Sequence, residues 1–462
     1  MTEQTVLHKQ LELEADMLTP ISIYHALEGK QKILFESSAK HEESGRYSFI
    51  AASPVATLVA KNQILTYKKG DKCIELNSLH PFEELKKFLP YVKGDYPFSF
   101  YGGAIGYIGY ETAFYHEQIG DVLVDPIDMP DMHLLFFDTF VVMDHVKQTL
   151  TIATIDLFQE GLTEAILDER IERIQKQLTK PLQPFLEQVD ALQFIPSMTQ
   201  DAYCQMVEEG KRHIEAGDIF QIVLSQRFSA QYDGNPMALY RQLRTANPSP
   251  YMYYIDFDGY TVLGTSPESL VKVSKRQVTT NPIAGTRPRG KDAKQDDVIA
   301  EGLLQDEKEL AEHRMLVDLG RNDVGRLCEI GSVSVPKYMV IERYKYVMHL
   351  VSEVTGTLRP AIHPLDVVAS CLPAGTVSGA PKIRAMQLIN DFEHVKRGVY
   401  AGAIGYLSIS GDLDLALAIR TMVVKDGKAH VQAGAGVVHH SNPISEYEET
   451  LNKAKALLEV IS

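Results

Sequence analysis

Apolar and polar residues alternate with a period of two over residues 45–76, through GRYSFIAASP, VATLVA, ILTYKK and KCIEL, with turn residues between them. That period matches the pleat of a strand and predicts four short strands. LLFFDTFVVMD (134–144) and TLTIATID (149–156) predict a hairpin closed by a short polar loop. The period lengthens in GLTEAILDERIERIQKQL (161–178), where an apolar stripe on a charged background predicts an amphipathic helix. Pro181, Pro184 and Pro196 then mark a link, the expected boundary between an N-terminal region, 1–185, and a C-terminal region, 195–462. TQDAYCQMVEEGKRHIEAG predicts a helix that stops at Gly217. FQIVLSQRFSA, YMYYIDF, YTVLGTSP and SLVKVS follow as strands, and VYAGAIGYLSIS, LDLALAIRTMVVK and AHVQAGAGVV are strand-like near the end. Runs of strands with helices between them, without a strict βαβ rhythm, imply an α+β (layered α/β) fold with large sheets.

YGGAIGYI (101–108) and YAGAIGYL (400–407) match at six of eight positions. Their small residues imply close backbone approach within a strand, and the repeat suggests two stacked halves sharing one core. At 462 residues, 45% hydrophobic and 23% charged, the chain has the balance of a globular protein. A net charge of −15 argues against nucleic acid as a partner. Cys73, Cys204, Cys328 and Cys371 are scattered with no CxxC spacing, which suits free thiols in a reducing cytoplasm. The first residues carry charges throughout, unlike a signal peptide, and no 18-residue apolar run predicts a membrane span.

Two glutamate pairs change this picture. Glu309 and Glu312 lie in one predicted helix (305–323), Glu446 and Glu449 in another (445–461). The i, i+3 spacing sets each pair on one helical face, and each face continues into apolar residues such as Leu316 or Leu457. Half-buried carboxylates repel one another unless a cation sits among them. Hard oxygen donors without a His or Cys cluster point to Mg²⁺ shared with an anionic substrate. Most such pairs are simply solvated, and Lys453, four residues after Glu449, fits an ordinary helix ion pair.

The glycine-rich segments fail the common nucleotide tests. AGTVSGAPK (374–382) lacks P-loop spacing, and AGAGVVHH (433–440) has His439 where a dinucleotide fingerprint needs its third glycine. No cysteine sits in a nucleophile-elbow context, so the chain has no visible apparatus for hydrolysing glutamine. One set of motifs carries a resemblance. LGTSPES (263–269), NPIAGTRPRG (281–290), EHRMLVDLGRND (312–323), VMHLVSEVTG (347–356), LPAGTVSGAPKIRAM (372–386) and EYEETLNKA (446–454) resemble the chorismate-utilising enzymes, especially the large, chorismate-binding subunits of anthranilate synthases. The likeness covers about 198–460 strongly and reaches the N-terminal region through ILFESSA (33–39) and GRYSFI (45–50).

The resemblance implies mostly antiparallel sheets packed face to face with flanking helices. It implies Mg²⁺ held by Glu312 and Glu449, with Glu309 and Glu446 in support. It implies that Thr286, Tyr400, Arg420, Lys453 and the backbone at Gly434 and Gly436 hold the chorismate dianion. An arginine inside the apolar strand ALAIRTMV needs an acidic partner in any case, from the protein or from a ligand. Glu268 matches the acid that protonates the leaving C4 hydroxyl, and burial is expected to raise its pKa. His349 matches the position tied to pyruvate elimination, and Thr376 a substrate-contacting hydroxyl.

Gln221 stands where water-adding relatives carry a lysine base. Glutamine cannot deprotonate water but can orient ammonia. Ala284 stands where many aminodeoxychorismate synthases carry a nucleophilic lysine. Both favour ammonia attack at C2 and anthranilate as product, the committed step towards tryptophan. The absence of tryptophan from the chain leans the same way. Ammonia would come from a separate glutamine amidotransferase subunit, in a hetero-oligomer. Glu36, Ser37, Pro250, Tyr251 and Met252 match a tryptophan-inhibition site. Two alternatives stay open: an aminodeoxychorismate synthase large subunit, and a catalytically silent ligand-sensing subunit on the same scaffold.

Overall fold

Two large antiparallel sheets, 12 strands each among the described residues, form the molecule. The computed structural model describes residues 6–36, 46–92, 94, 96–180, 189, 191–344 and 347–458. Pro181, Pro184 and Ser37 therefore lie outside the described residues.

The first sheet runs His8–Glu14, Thr149–Ile155, Thr139–Asp144, Tyr47–Ala51 and Ile33–Glu36, then Tyr251–Asp256, Tyr260–Ser266, Thr421–Lys425, Lys428–Val437 and Gln221–Gln231. Ranked within its own half of the chain, the strand order from either edge reads first, fifth, fourth, third, second. The two halves are thus built alike and meet where Ile33–Glu36 pairs with Tyr251–Asp256. In the second sheet the two copies of the sequence repeat pair with each other, Gly103–Ile108 against Ala403–Ser408. Gly106 lies opposite Gly405 there, and a Cβ on either would sit 2.0 Å from a neighbouring carbonyl oxygen. Regions 1–185 and 195–462 therefore share both sheets.

The layer between the sheets is the main core, with Ile33, Phe49, Tyr253 and Val423 from one sheet against Leu58, Ile105, Ile404 and Leu415 from the other. On the outer face of the first sheet, Leu34, Ile50, Val141, Leu263 and Met422 pack under Ile23, Ile171 and Leu239 of three helices, Pro20–Ala26, Glu164–Leu178 and Pro236–Ala246. Alternate residues of one strand thus feed two cores.

The chain turns directly from a strand of one sheet into a strand of the other at four corners, 51–56, 137–139, 266–269 and 417–421, and crosses twice more through helical segments on either side of Gly379–Ala380. The apolar run 134–144 predicts one arm of a hairpin, but only Thr139–Asp144 pairs with Thr149–Ile155, while Met132–Phe137 belongs to the other sheet. Likewise 413–425 divides into Leu413–Leu417 and Thr421–Lys425. Strands buried on both faces read as continuous apolar runs, so periodicity hides the break. The last two corners are bonded together. Ser266 Oγ donates to Leu417 O (2.7 Å), Leu417 N to Glu268 O (2.9 Å) and Thr265 N to Arg420 O (3.1 Å).

The glutamate-bearing helices form as expected, at Glu307–Gly325 and Pro443–Leu458. Asp306 caps the first, accepting from the N–H groups of Lys308 and Glu309. Thr199 caps Gln200–Glu215, which ends just before Gly217, whose φ of +82° breaks the helix.

Candidate active site

Glu268 and Arg420 stand on the two bonded corners, where the chain leaves one sheet for the other. Glu268 is buried and accepts a hydrogen bond from Thr376 Oγ1 at 2.8 Å, presented by the short turn Gly375–Val377. Burial pushes its carboxyl up to about 7, against the downward pull of the Thr376 bond and the Lys453 charge. A proton available near neutrality is what a general acid needs.

Thr286 and His349 face each other across paired strands, Thr286 Oγ1 lying 3.0 Å from His349 Nδ1. The register slips between Ala284 and Thr286, at Gly285, whose φ of +59° makes the bulge. Burial, with the Arg420 charge second, lowers His349 to about 4, so the imidazole is neutral at pH 7. Arg420, at φ +49°, is partly buried, and desolvation lowers its pKa. Among the described residues its guanidinium has no hydrogen-bond or ion-pair partner. The acidic partner that such an arginine requires is left to a ligand.

Gln221 donates through Nε2 to Glu312 (3.0 Å), and its Oε1 is buried without a partner among the described residues. Gly434 and Gly436 sit on the facing strand, opposite Ser225 and Val223. A Cβ on Gly436 would lie 2.8 Å from Gln221 Nε2, and one on Gly434 would lie 2.7 Å from the Tyr400 hydroxyl. Tyr400 is buried, and burial raises its phenol well above its ordinary range, so it remains a neutral donor. Gly434→Ala, whose Cβ would also lie 2.9 Å from Leu224 O, is expected to displace this hydroxyl and raise the KM for chorismate about tenfold, with circular dichroism and the thermal midpoint checking the fold. An unchanged KM would mean that Tyr400 and Gly434 do not frame the substrate.

Lys453 donates to Gly434 O (3.1 Å) and pairs with Glu449 (2.7 Å), the ordinary i, i+4 contact. Glu309 pairs with Arg287 (3.0 Å). These bonds engage Glu309 and Glu449. Glu312 and Glu446 have no cation within ion-pair distance among the described residues, and both carboxyls are raised, first by burial, and also by the neighbouring Glu309 or Glu449. Lys308 and Lys453 influence both, so the two helix faces look onto one space. No group of three or more His, Cys, Asp or Glu side chains among the described residues forms a ready metal cage. Two desolvated carboxylates without a cage fit a hard cation that completes its shell with water and substrate oxygens. Sequence reasoning missed Lys308 and Arg287. The place of Lys308 four residues before Glu312 was the one available signal.

The inhibitor constellation is only partly assembled. Glu36 lies opposite Met252 and accepts from Tyr240 Oη (2.6 Å) and Arg244 Nη2 (2.7 Å). Tyr251, next to Met252 in the strand, alternates to the other face and donates to Asp414 (3.0 Å). Pro250 precedes that strand, and Ser37 is outside the described residues.

The chorismate binding enzyme family matches residues 3–459. Anthranilate synthase component 1 of Lactococcus lactis is 44% identical, with 98% of this chain and 100% of that protein aligned. The crystal structure of anthranilate synthase component I from Streptococcus pneumoniae superposes with a TM-score of 0.84 at 44% identity, over 96% of this chain and 99% of that one. The menaquinone-specific isochorismate synthase of Escherichia coli shares the fold, with a TM-score of 0.75 at 18% identity over 99% and 95% of the two chains. The site and these relationships together make the chain a member of the chorismate binding enzyme family.

Proposed function

We propose that the chain is the large component of an anthranilate synthase, converting chorismate and ammonia to anthranilate, pyruvate and water. The observation that carries this reading is the Arg420 guanidinium, without a partner among the described residues, within electrostatic reach of a neutral His349 and on a corner bonded to that of Glu268, whose carboxyl is raised to about 7. Arg420 and the Tyr400 hydroxyl would take a carboxylate of the substrate. The orphaned Gln221 Oε1 accepts an N–H of ammonia and aims its lone pair at C2. As the C2–N bond forms, Glu268 gives its proton to the C4 oxygen, which leaves as water. The new ammonium gives a proton back to the Glu268 carboxylate; His349, steadied by Thr286, then takes the C2 proton, the enolpyruvyl C–O bond breaks as the ring aromatises, and the released enolate takes a proton at its methylene carbon to become pyruvate.

Mg²⁺ would sit between the helices on Glu312 and on Glu446 or Glu449, with Glu309 behind. There it would neutralise a substrate carboxylate. Ammonia would be supplied by a glutamine amidotransferase component in a hetero-oligomer. Tryptophan would inhibit from the Glu36 and Met252 side. The unpaired cysteines suit the cytoplasm. No helix among the described residues is long and apolar enough to cross a membrane.

Ala284 pairs with Leu350 in the strand that carries Thr286, so this position offers no amine for covalent attack on the ring. This favours anthranilate over aminodeoxychorismate. The test is a product assay with the purified chain, chorismate, Mg²⁺ and an ammonium salt, followed by fluorescence and chromatography. Anthranilate is expected, lost on adding EDTA and slowed by tryptophan. Aminodeoxychorismate in its place overturns the assignment, and no turnover at all returns the chain to a silent sensing role.

A further inference from the structure

A cavity lies against the first sheet, lined also by the segments 125–129 and 396–400, with Tyr400 in its wall. Arg227, Thr421, His430 and Gln432 line it as well. Arg227 is only 8% exposed and stands opposite Gln432, two pairs further along the strands from Ser225 and Gly434 and on the same face. Among the described residues its guanidinium makes no hydrogen bond and no ion pair.

The nearby carboxylates are already engaged. Asp125 accepts from the N–H groups of Ile127 (3.0 Å), Asp128 (3.0 Å) and Met129 (2.7 Å). Glu393 binds Arg397 (2.6 Å) and Ser225, and Glu111 accepts from the N–H groups of Arg397 (2.7 Å) and Gly398 (2.9 Å). The cavity's other cations have partners, Lys396 on Asp131 (3.0 Å) and Arg397 on Glu393. Arg227 thus brings five N–H donors to the cavity with no protein acceptor among the described residues, which leaves them to water or to a ligand. Burial lowers its pKa, but a guanidinium keeps its charge in proteins.

We propose that this cavity binds a small anion of the monocarboxylate class, taken two-pronged by the Arg227 fork with His430 beside it. Planar bidentate recognition of a carboxylate is the geometry a guanidinium offers and a lysine does not. His430 Nδ1 lies 2.8 Å from Ser229 Oγ, and with that hydroxyl donating to it, the Nε2–H is free for the ligand. Because Tyr400 is shared with the substrate set, the reaction's own small monocarboxylate, pyruvate, is formed next door. That identification rests on the proposed reaction. The anion site itself does not.

The probes are bromide, formate and pyruvate, used on the full chain. Crystals soaked in sodium bromide are expected to show an anomalous peak at the Arg227 guanidinium. A water at that place, or bromide on exposed lysines alone, overturns the proposal whatever the enzyme makes. In solution, formate several-fold above its Kd is expected to raise the thermal midpoint of the wild type by about 1–2 °C over a bulky-anion salt of equal ionic strength. Arg227→Gln is expected to abolish that rise, and an equal rise in both proteins counts against the site. The bromide result stands even if the variant fails to fold. Displacement of bromide by pyruvate supports the product as occupant, and displacement by formate alone supports the same site with a solution anion in it.

Discussion

Glu268→Gln is expected to lower the rate of anthranilate formation by roughly 10²–10⁴-fold, the usual range for loss of a general acid. The amide can still accept from Thr376 but has no proton to give, so chorismate binding, followed by fluorescence quenching or calorimetry, is expected to persist. The same variant is expected to be more stable than the wild type. A carboxyl lifted from its ordinary value to about 7 costs nothing below the unfolded value, where both states are protonated. Between about 4.5 and 7 the folded state keeps its proton while the unfolded state loses it, and the cost of burying the group grows. Above 7 the full cost stands, about 3 kcal/mol, or about 3 °C for a chain of this length. The gap between variant and wild type should therefore open as pH rises through that window and then stay constant. A gap independent of pH, or a variant retaining full rate, would remove Glu268 from the role of acid.

Arg420→Gln has the second large effect, again with opposite signs for activity and stability. Losing a charge-assisted fork to a substrate carboxylate is expected to raise the KM for chorismate roughly 10²-fold, with a smaller change in kcat. The ligand-free protein loses a desolvated, unpaired guanidinium, so its thermal midpoint is expected to rise by about 1–2 °C. If Arg420 were a structural ion-pair member, both quantities would fall together. Parallel steady-state kinetics and thermal scans separate the two cases.

The strands and the long helices were legible because their periods differ and because Asp306, Thr199 and Gly217 punctuate them. The corners were not. In FFDTFV and LAIRTM only two adjacent polar residues, Asp138–Thr139 and Arg420–Thr421, mark the passage between sheets, and strands buried on both faces give no alternation to interrupt. The glutamate pairs were visible as helical spacing. The engagement of Glu309 by Arg287 was not, because that ion pair joins a strand to a helix. Glu268, His349, Thr286 and Thr376 are distant in sequence, and their roles came from the motif resemblance. The structure then places Thr286 against His349 and Thr376 against Glu268. Arg227 stayed silent in FQIVLSQRFSA because a lone arginine in a strand does not announce whether its partner exists.

The seam between the two similar halves bears on how the chain can be cut. A break near residue 190 leaves the strands Tyr251–Asp256 and Ala403–Ser408 as bare edges, each losing a whole row of backbone partners. Those edges are six residues each and mostly apolar, the kind that recruit another strand and aggregate. The N-terminal half is thus a permanent edge guard for the half that carries the chemistry. The shortest fragment able to hold Glu268 and Arg420 on their bonded corners is close to the full length of the chain.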